Sequence, residues 1–292
     1  MPAWRLVERR MNMEASVTKK TVARGFTLIE MLVVVSILVI LTGAILPKLD
    51  VVQLKVNKGV AANNMGGVSR YVQTYRVMHN IYPDHWDSLM GGTTGSDPTS
   101  LWAGPAGGLG PGLEPQTTGA LAGSPHKLTT TTLTESATVH ELRSLTRLGI
   151  VTIEQLGGTT GDIPGNLYNQ DQLLAAGSTV ATINDADPDG QNIISQIYKL
   201  GGTSTSPVGY PATVGEKLVV FGFGPKNSTI QDVLQECPWY PNTDPNKYYH
   251  RFLCIFRVFQ DGTRCQLAMV TGADGDRIDE EIGDYYAEYT AP

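Results

Sequence analysis

Cysteine is scarce in this chain. Only Cys237, Cys254 and Cys265 occur among 292 residues. At most one internal disulfide can form, so a disulfide framework is excluded, and no paired-cysteine zinc spacing exists. Positive charge is also short: 22 Lys and Arg stand against 28 Asp and Glu, a net charge of −6. That balance argues against nucleic-acid binding, which needs a basic face. The five histidines, His79, His85, His126, His140 and His250, are scattered. Neither His-Glu-x-x-His nor Gly-x-Ser-x-Gly occurs, so nothing points to catalysis, and the expectation is a protein that is not an enzyme. The glycines around 104–112 have no preceding strand and no following Gly-Lys-Ser/Thr, which excludes a nucleotide loop.

Charge is nearly missing from one long run. Residues 26–46 form an apolar run that carries a single charge, Glu30, one turn from the start. The run is long enough to cross a bilayer as a helix, which needs about 20 residues. Lys19, Lys20 and Arg24 precede it. The stretch up to Gly25 carries six basic and two acidic residues, net +4, leaving about −10 for the remainder. Positive charge ahead of the run predicts a cytoplasmic N-terminus and a globular part on the far side. Met11 or Met13 as the start would still leave a basic leader. An ordinary secretory signal has a shorter apolar core followed by a small-residue cleavage site, and neither is present here. An acid inside a membrane helix is costly, and it marks function and an unnamed partner.

The unbroken order Gly25-Phe26-Thr27-Leu28-Ile29-Glu30, followed by an apolar helix and Pro47, resembles the processing site of type IV prepilins and of the pseudopilins of type II secretion. The resemblance implies that a prepilin peptidase cuts between Gly25 and Phe26 and that the new Phe26 amine is methylated. It implies that Glu30 pairs with that amine on a neighbouring subunit and fixes the axial register, a well-attested use of a buried charge pair. A pair within one helix is the alternative.

Beyond Pro47 a near-four-residue rhythm, Val52, Val56, Val60, Val68, Val72 and Tyr75, continues to His79 and predicts an amphipathic helix. Pro47 should kink or melt it, and Gly66 and Gly67 should weaken it. Asn80-Ile81-Tyr82-Pro83 and then Trp86-Asp87-Ser88-Leu89 resemble the Tyr-Pro turn and short helix that end the long helix of pseudopilins. Residues 91–127 read as a long irregular loop, 134–156 as a helix, and 157–215 as loop with short elements. Strands are expected at 217–223, 252–259 and 264–270, the last two joined at Asp261-Gly262, a strong hairpin signal. A turn centred there sets Cys254 opposite Met269 and Cys265 opposite Val258. These two cysteines are too far apart to bridge, so buried free thiols are expected, with a bridge from Cys237 as second choice.

Two acidic loops are candidate calcium sites. Asp185-Ala-Asp187-Pro-Asp189-Gly190 matches the opening of an EF-hand loop, but the last ligand position falls on Gln196, so a solvated turn is favoured. The loop at 272–282 resembles the calcium-holding C-terminal stretch of major pseudopilins, which would carry over to Asp274, Asp276, Asp279 and Glu280. It departs from that pattern at Arg277 and Ile278, and Arg277 could itself neutralise the acids. Tyr248, Tyr249, Tyr285, Tyr286 and Tyr289 suit core packing or a carbohydrate or partner surface.

The expected fold is α+β and pilin-like. A basic leader (1–25) precedes a transmembrane helix (26–47) and its amphipathic continuation (48–80). A globular domain (81–292), with a large insertion at about 91–215, packs as a small antiparallel sheet on the long helix. The expected role is a filament subunit that supports protein secretion. It would be anchored once in the inner membrane with the globular domain outside, and would work with prepilin peptidase, sister subunits and an inner-membrane assembly platform. The alternatives are an adhesive or surface pilin, or a binding protein or enzyme tethered by a pilin-type anchor.

Overall fold

The computed structural model describes residues 27–91, 97–101, 127–156, 168–198, 215–241, 243 and 248–290. The chain divides into two compact units, Met1–Leu49 and Asp50–Pro292. One helix, α1 (Leu28–His79), contributes to both and continues through Pro47, Gly66 and Gly67. In the first unit its described side chains are exposed and mostly apolar, among them Leu28, Ile29, Leu32, Val35, Leu38 and Ile40. Among the described residues no helix is long and apolar enough to cross a membrane. The described side chains of the apolar run stop at Gly43, short of the about 20 residues a span requires.

In the second unit α1 buries a stripe of Ala61, Met65, Val68 and Val72. Val52, Val56 and Val60, expected on that stripe, are exposed. The reason is geometric: a strict spacing of four advances about 40° too far per step on a helix of 3.6 residues per turn, whereas the alternation of four and three stays in line.

Ten strands follow. The main sheet runs β10 (Cys265–Thr271), β9 (Leu253–Phe259), β8 (Glu216–Gly222), β1 (Trp86–Asp87), β5 (Thr152–Leu156), β6 (Tyr168–Leu173). A branch adds β7 (Thr179–Ile183), which pairs with β8, and β4 (Leu128–Thr132), which pairs with β7. β1 and β5 run parallel and the other pairs antiparallel. A separate ladder joins β2 (Met90–Gly91) to β3 (Asp97–Leu101) within the segment expected to be loop. The expected small antiparallel sheet is therefore a larger mixed one, and residues 128–183 supply four of its strands.

Two expected helices are corrected. After the Tyr82-Pro83 turn the chain forms β1, not a short helix; Asn80, His85 and Leu89 take positive φ and break any helical run. Of the helix expected at 134–156, only α2 (Glu141–Thr146) forms. Gly149 ends it at φ +96°, where an added Cβ would lie 2.8 Å from the Tyr82 carbonyl oxygen. The β-branched run Ile150-Val151-Thr152-Ile153 then leads into β5, consistent with its strand propensity.

β8 and β9 are buried on both faces, which explains their near-continuous apolar sequence. One face, with Val219, Phe221, Phe256 and Val258, packs with the α1 stripe, Tyr82 and Trp86. The other, with Leu218, Val220 and Ile255, packs with Ile193 and Ile194 of α3 (Pro188–Tyr198). The hairpin turns at Asp261-Gly262 with Gly262 at φ +74°. Cys265 faces Val258 as expected, but an irregularity between Leu267 and Met269 shifts the register and sets Cys254 opposite Val270 rather than Met269. All three cysteines are buried and free.

Candidate functional site

Helix α1 begins with a reciprocal cap. Thr27 precedes the first helical residue, and its Oγ1 accepts from the Glu30 backbone N–H at 3.3 Å. Glu30 reaches back, its Oε2 accepting from Thr27 N at 2.8 Å and from Thr27 Oγ1 at 2.9 Å. Thr-x-x-Glu in this geometry is a capping box, which satisfies donors that a helix start leaves unpaired. It holds Glu30 toward the end of the helix, next to the residue that follows Phe26. Gly25 and Phe26 themselves lie outside the described residues.

The second cluster is the loop between β10 and α4 (Ile278–Thr290). Gly275 at φ +79° turns the chain, and Gly272 N donates to the Asp276 carbonyl at 2.8 Å. The turn brings oxygens of Asp274, Asp276 and Glu281 within 4.8 Å of one another. Asp279 and Glu280 point elsewhere: Arg277 Nη2 meets them at 3.3 and 3.0 Å. Glu280 also accepts from the Arg277 backbone N–H at 2.9 Å, capping α4. Of the four acids expected together, two converge, two serve Arg277, and Glu281 joins instead. Glu281 is fully buried one turn into α4, and its acidic run gave no signal of that burial.

Cations already sit on the converging acids. Lys127 Nζ is 2.5 Å from Asp276 Oδ1. Lys58 Nζ, from α1, lies 3.1 Å from Glu281 Oε2, 3.3 Å from Asp284 Oδ2 and 3.7 Å from Asp276 Oδ2. Burial alone would lower the Lys58 pKa, but the Glu281 charge and hydrogen bond, with Asp274 and Asp276 behind them, drive it upward. The Tyr240 hydroxyl contacts both Asp274 Oδ2 and Glu281 Oε1. A phenol has one proton. That proton lies between the two carboxyls and links them. Burial, reinforced by Asp276, raises the pKa of Asp274, and burial likewise raises that of Glu281.

These groups do not fit calcium, which takes about six to eight oxygens at roughly 2.3–2.6 Å. Two of the expected donors are turned away, and two ammonium groups lie among the three that remain. The Asp185–Gly190 loop is no better. Asp187 is buried, and its Oδ1 accepts from the backbone N–H of Asp189 at 2.9 Å and of Gly190 at 3.3 Å. It caps α3, with Pro188 at the first helical position.

A third grouping, not anticipated from sequence, joins β1 to β5. Buried Glu154 meets His85 Nδ1 at 2.7 Å through one oxygen and Lys226 Nζ at 2.7 Å through the other, and Lys226 reaches Asp171 at 3.0 Å. With Lys226 between the acids, the arrangement is an ion-paired staple.

The family model for the prokaryotic N-terminal methylation motif matches residues 20–46. The chain carries the type IV prepilin and pseudopilin signature. The match contains the Thr27–Glu30 cap and the apolar first part of α1, and it supports a membrane-anchored, pilin-like protein that prepilin peptidase processes. No curated protein and no solved structure matches the chain.

Proposed function

We propose that the chain is a structural, non-enzymatic subunit of a pilus-like filament that supports protein secretion, in the manner of a type II secretion pseudopilin. Prepilin peptidase cuts between Gly25 and Phe26, and the Phe26 amine is methylated. Residues 26–47 hold the subunit in the inner membrane, with the leader cytoplasmic and the globular part outside. An assembly platform then moves the subunit into a filament of sister subunits. Its work there is mechanical, each added subunit pushing the fibre outward.

The observation that carries this reading is the combination at the start of α1: a methylation motif, an acid fixed by its own cap, and an exposed apolar surface. The cap satisfies Thr27 but leaves the Glu30 charge uncompensated among the described residues, and a neighbour's new amine would supply that compensation. The cap also separates two roles of Glu30. Glutamine keeps a capping box but loses the charge. Glu30→Gln should therefore be cut and methylated normally yet fail to enter filaments, as read by sheared-fibre recovery from cells expressing the assembly machinery. Wild-type levels of Glu30→Gln fibres would contradict the charge-pairing role. Absence of fibres from the wild type under conditions that assemble other pilins would contradict the filament reading.

A further inference from the structure

We infer that Lys58 and Lys127 are the resident cations of the β10–α4 loop, so that this loop closes onto α1 without a divalent metal.

Most of the charge at the site is compensated from within the chain. Three carboxyls, Asp274, Asp276 and Glu281, converge. Lys127 and Lys58 bring two positive charges to them. The Tyr240 hydroxyl reaches both Asp274 and Glu281 and lends its proton to the pair, and burial favours the neutral form of both carboxyls. Asp284, half-exposed at 3.3 Å from Lys58, lies on the solvent side and is open to screening.

The two lysines come from different parts of the second unit, Lys58 from α1 and Lys127 from the residue before β4. A metal held by these acids would tie the loop to α4, which follows it directly, whereas Lys58 ties it to α1. Burial gives the tie its weight. Glu281 is fully buried, and Lys58 and Lys127 side chains are 26% and 10% exposed. Removing one partner of a buried pair leaves an uncompensated charge, which is far costlier than losing a surface pair.

The test uses the full chain, purified in detergent, with thermal unfolding followed by circular dichroism in calcium chloride and in EDTA. The wild-type midpoint should be the same in both, and calorimetric titration with calcium should show no binding. Lys58→Met should lower the midpoint by several degrees equally in both solutions, while Lys58→Arg should restore most of the loss. If Lys58→Met does not fold, hydrogen exchange on the wild type decides instead: amides at 272–281 should stay as protected in EDTA as in calcium. A wild-type midpoint or amide protection that rises with calcium would overturn the inference, as would measurable calcium binding or a Lys58→Met midpoint equal to that of the wild type.

Discussion

Trp86 offers the sharpest test of the packing that seats α1 on the sheet. Its side chain is fully buried. Its ring meets Phe256 edge-on at 5.1 Å between centroids and Phe223 at 5.9 Å, and Nε1 donates to the Pro83 carbonyl at 2.6 Å. Trp86→Ala removes the ring from the centre of the cluster that includes Val68 and Val72 of α1. Truncating a buried aromatic residue to alanine costs about 3–5 kcal/mol through lost transfer energy and the cavity left behind. At roughly 2–4 °C per kcal/mol for a domain of this size, the unfolding midpoint should fall by about 6–20 °C. Trp239 is the internal control. It is 64% exposed, and Trp239→Ala should change stability by no more than about 0.5 kcal/mol. Both variants would be unfolded thermally as full-length protein in detergent, with far-ultraviolet circular dichroism as the readout. Equal midpoints for the two variants would refute the placement of Trp86 at the core. Cleavage after Gly25 should persist in both, because the signature ends at residue 46.

Burial, aided by the Arg251 charge, pulls the His250 pKa from 6.5 down to about 4. The unfolded chain therefore takes up this proton first on acidification. The contribution is complete above about pH 6.5 and is lost as pH falls toward 4, by about 2 kcal/mol after allowance for solvent screening; a His250→Gln stability profile as steep as the wild type across that range would contradict it. Asp187→Ala should destabilise by about 1 kcal/mol through loss of the α3 cap. Asp187→Asn should cost much less, and denaturant titration of the pair would show it. Burial pushes the Cys237 thiol up to about 12 and raises Cys254 and Cys265 as well. All three should resist thiol reagents until the protein unfolds, and non-reducing gels should show no mobility shift; rapid labelling of the native protein would place at least one of them at the surface.

Local patterns carried much of the architecture. The apolar run and the rhythm up to His79 announced α1, and Asp261-Gly262 announced the β9–β10 hairpin. The α+β class followed from these two signals. What failed to show was set by tertiary context. The irregularity at Ala268 shifts the register of Cys254 without any glycine to mark it. The leucines at 142, 145 and 148 have helical spacing, yet Gly149 must take a left-handed conformation against Tyr82, and the helix stops there. At the acidic loop, Asp274 and Asp276 were visible as a turn, but Glu281 and Tyr240 acquire their roles only on folding. Lys58 was one more charge on an amphipathic helix, and Lys127 stood at the end of a stretch read as loop. No local pattern could join them to acids near the C-terminus.

Use of the N-terminal signature underlies every step from anchor to filament. It is tested most directly by intact mass and N-terminal sequencing of the membrane-extracted protein from cells with and without prepilin peptidase. The terminus should lie at methylated Phe26 only when the peptidase is present, and the chain should be uncut when it is absent. Uncut protein in both, or a cut elsewhere, would contradict that use.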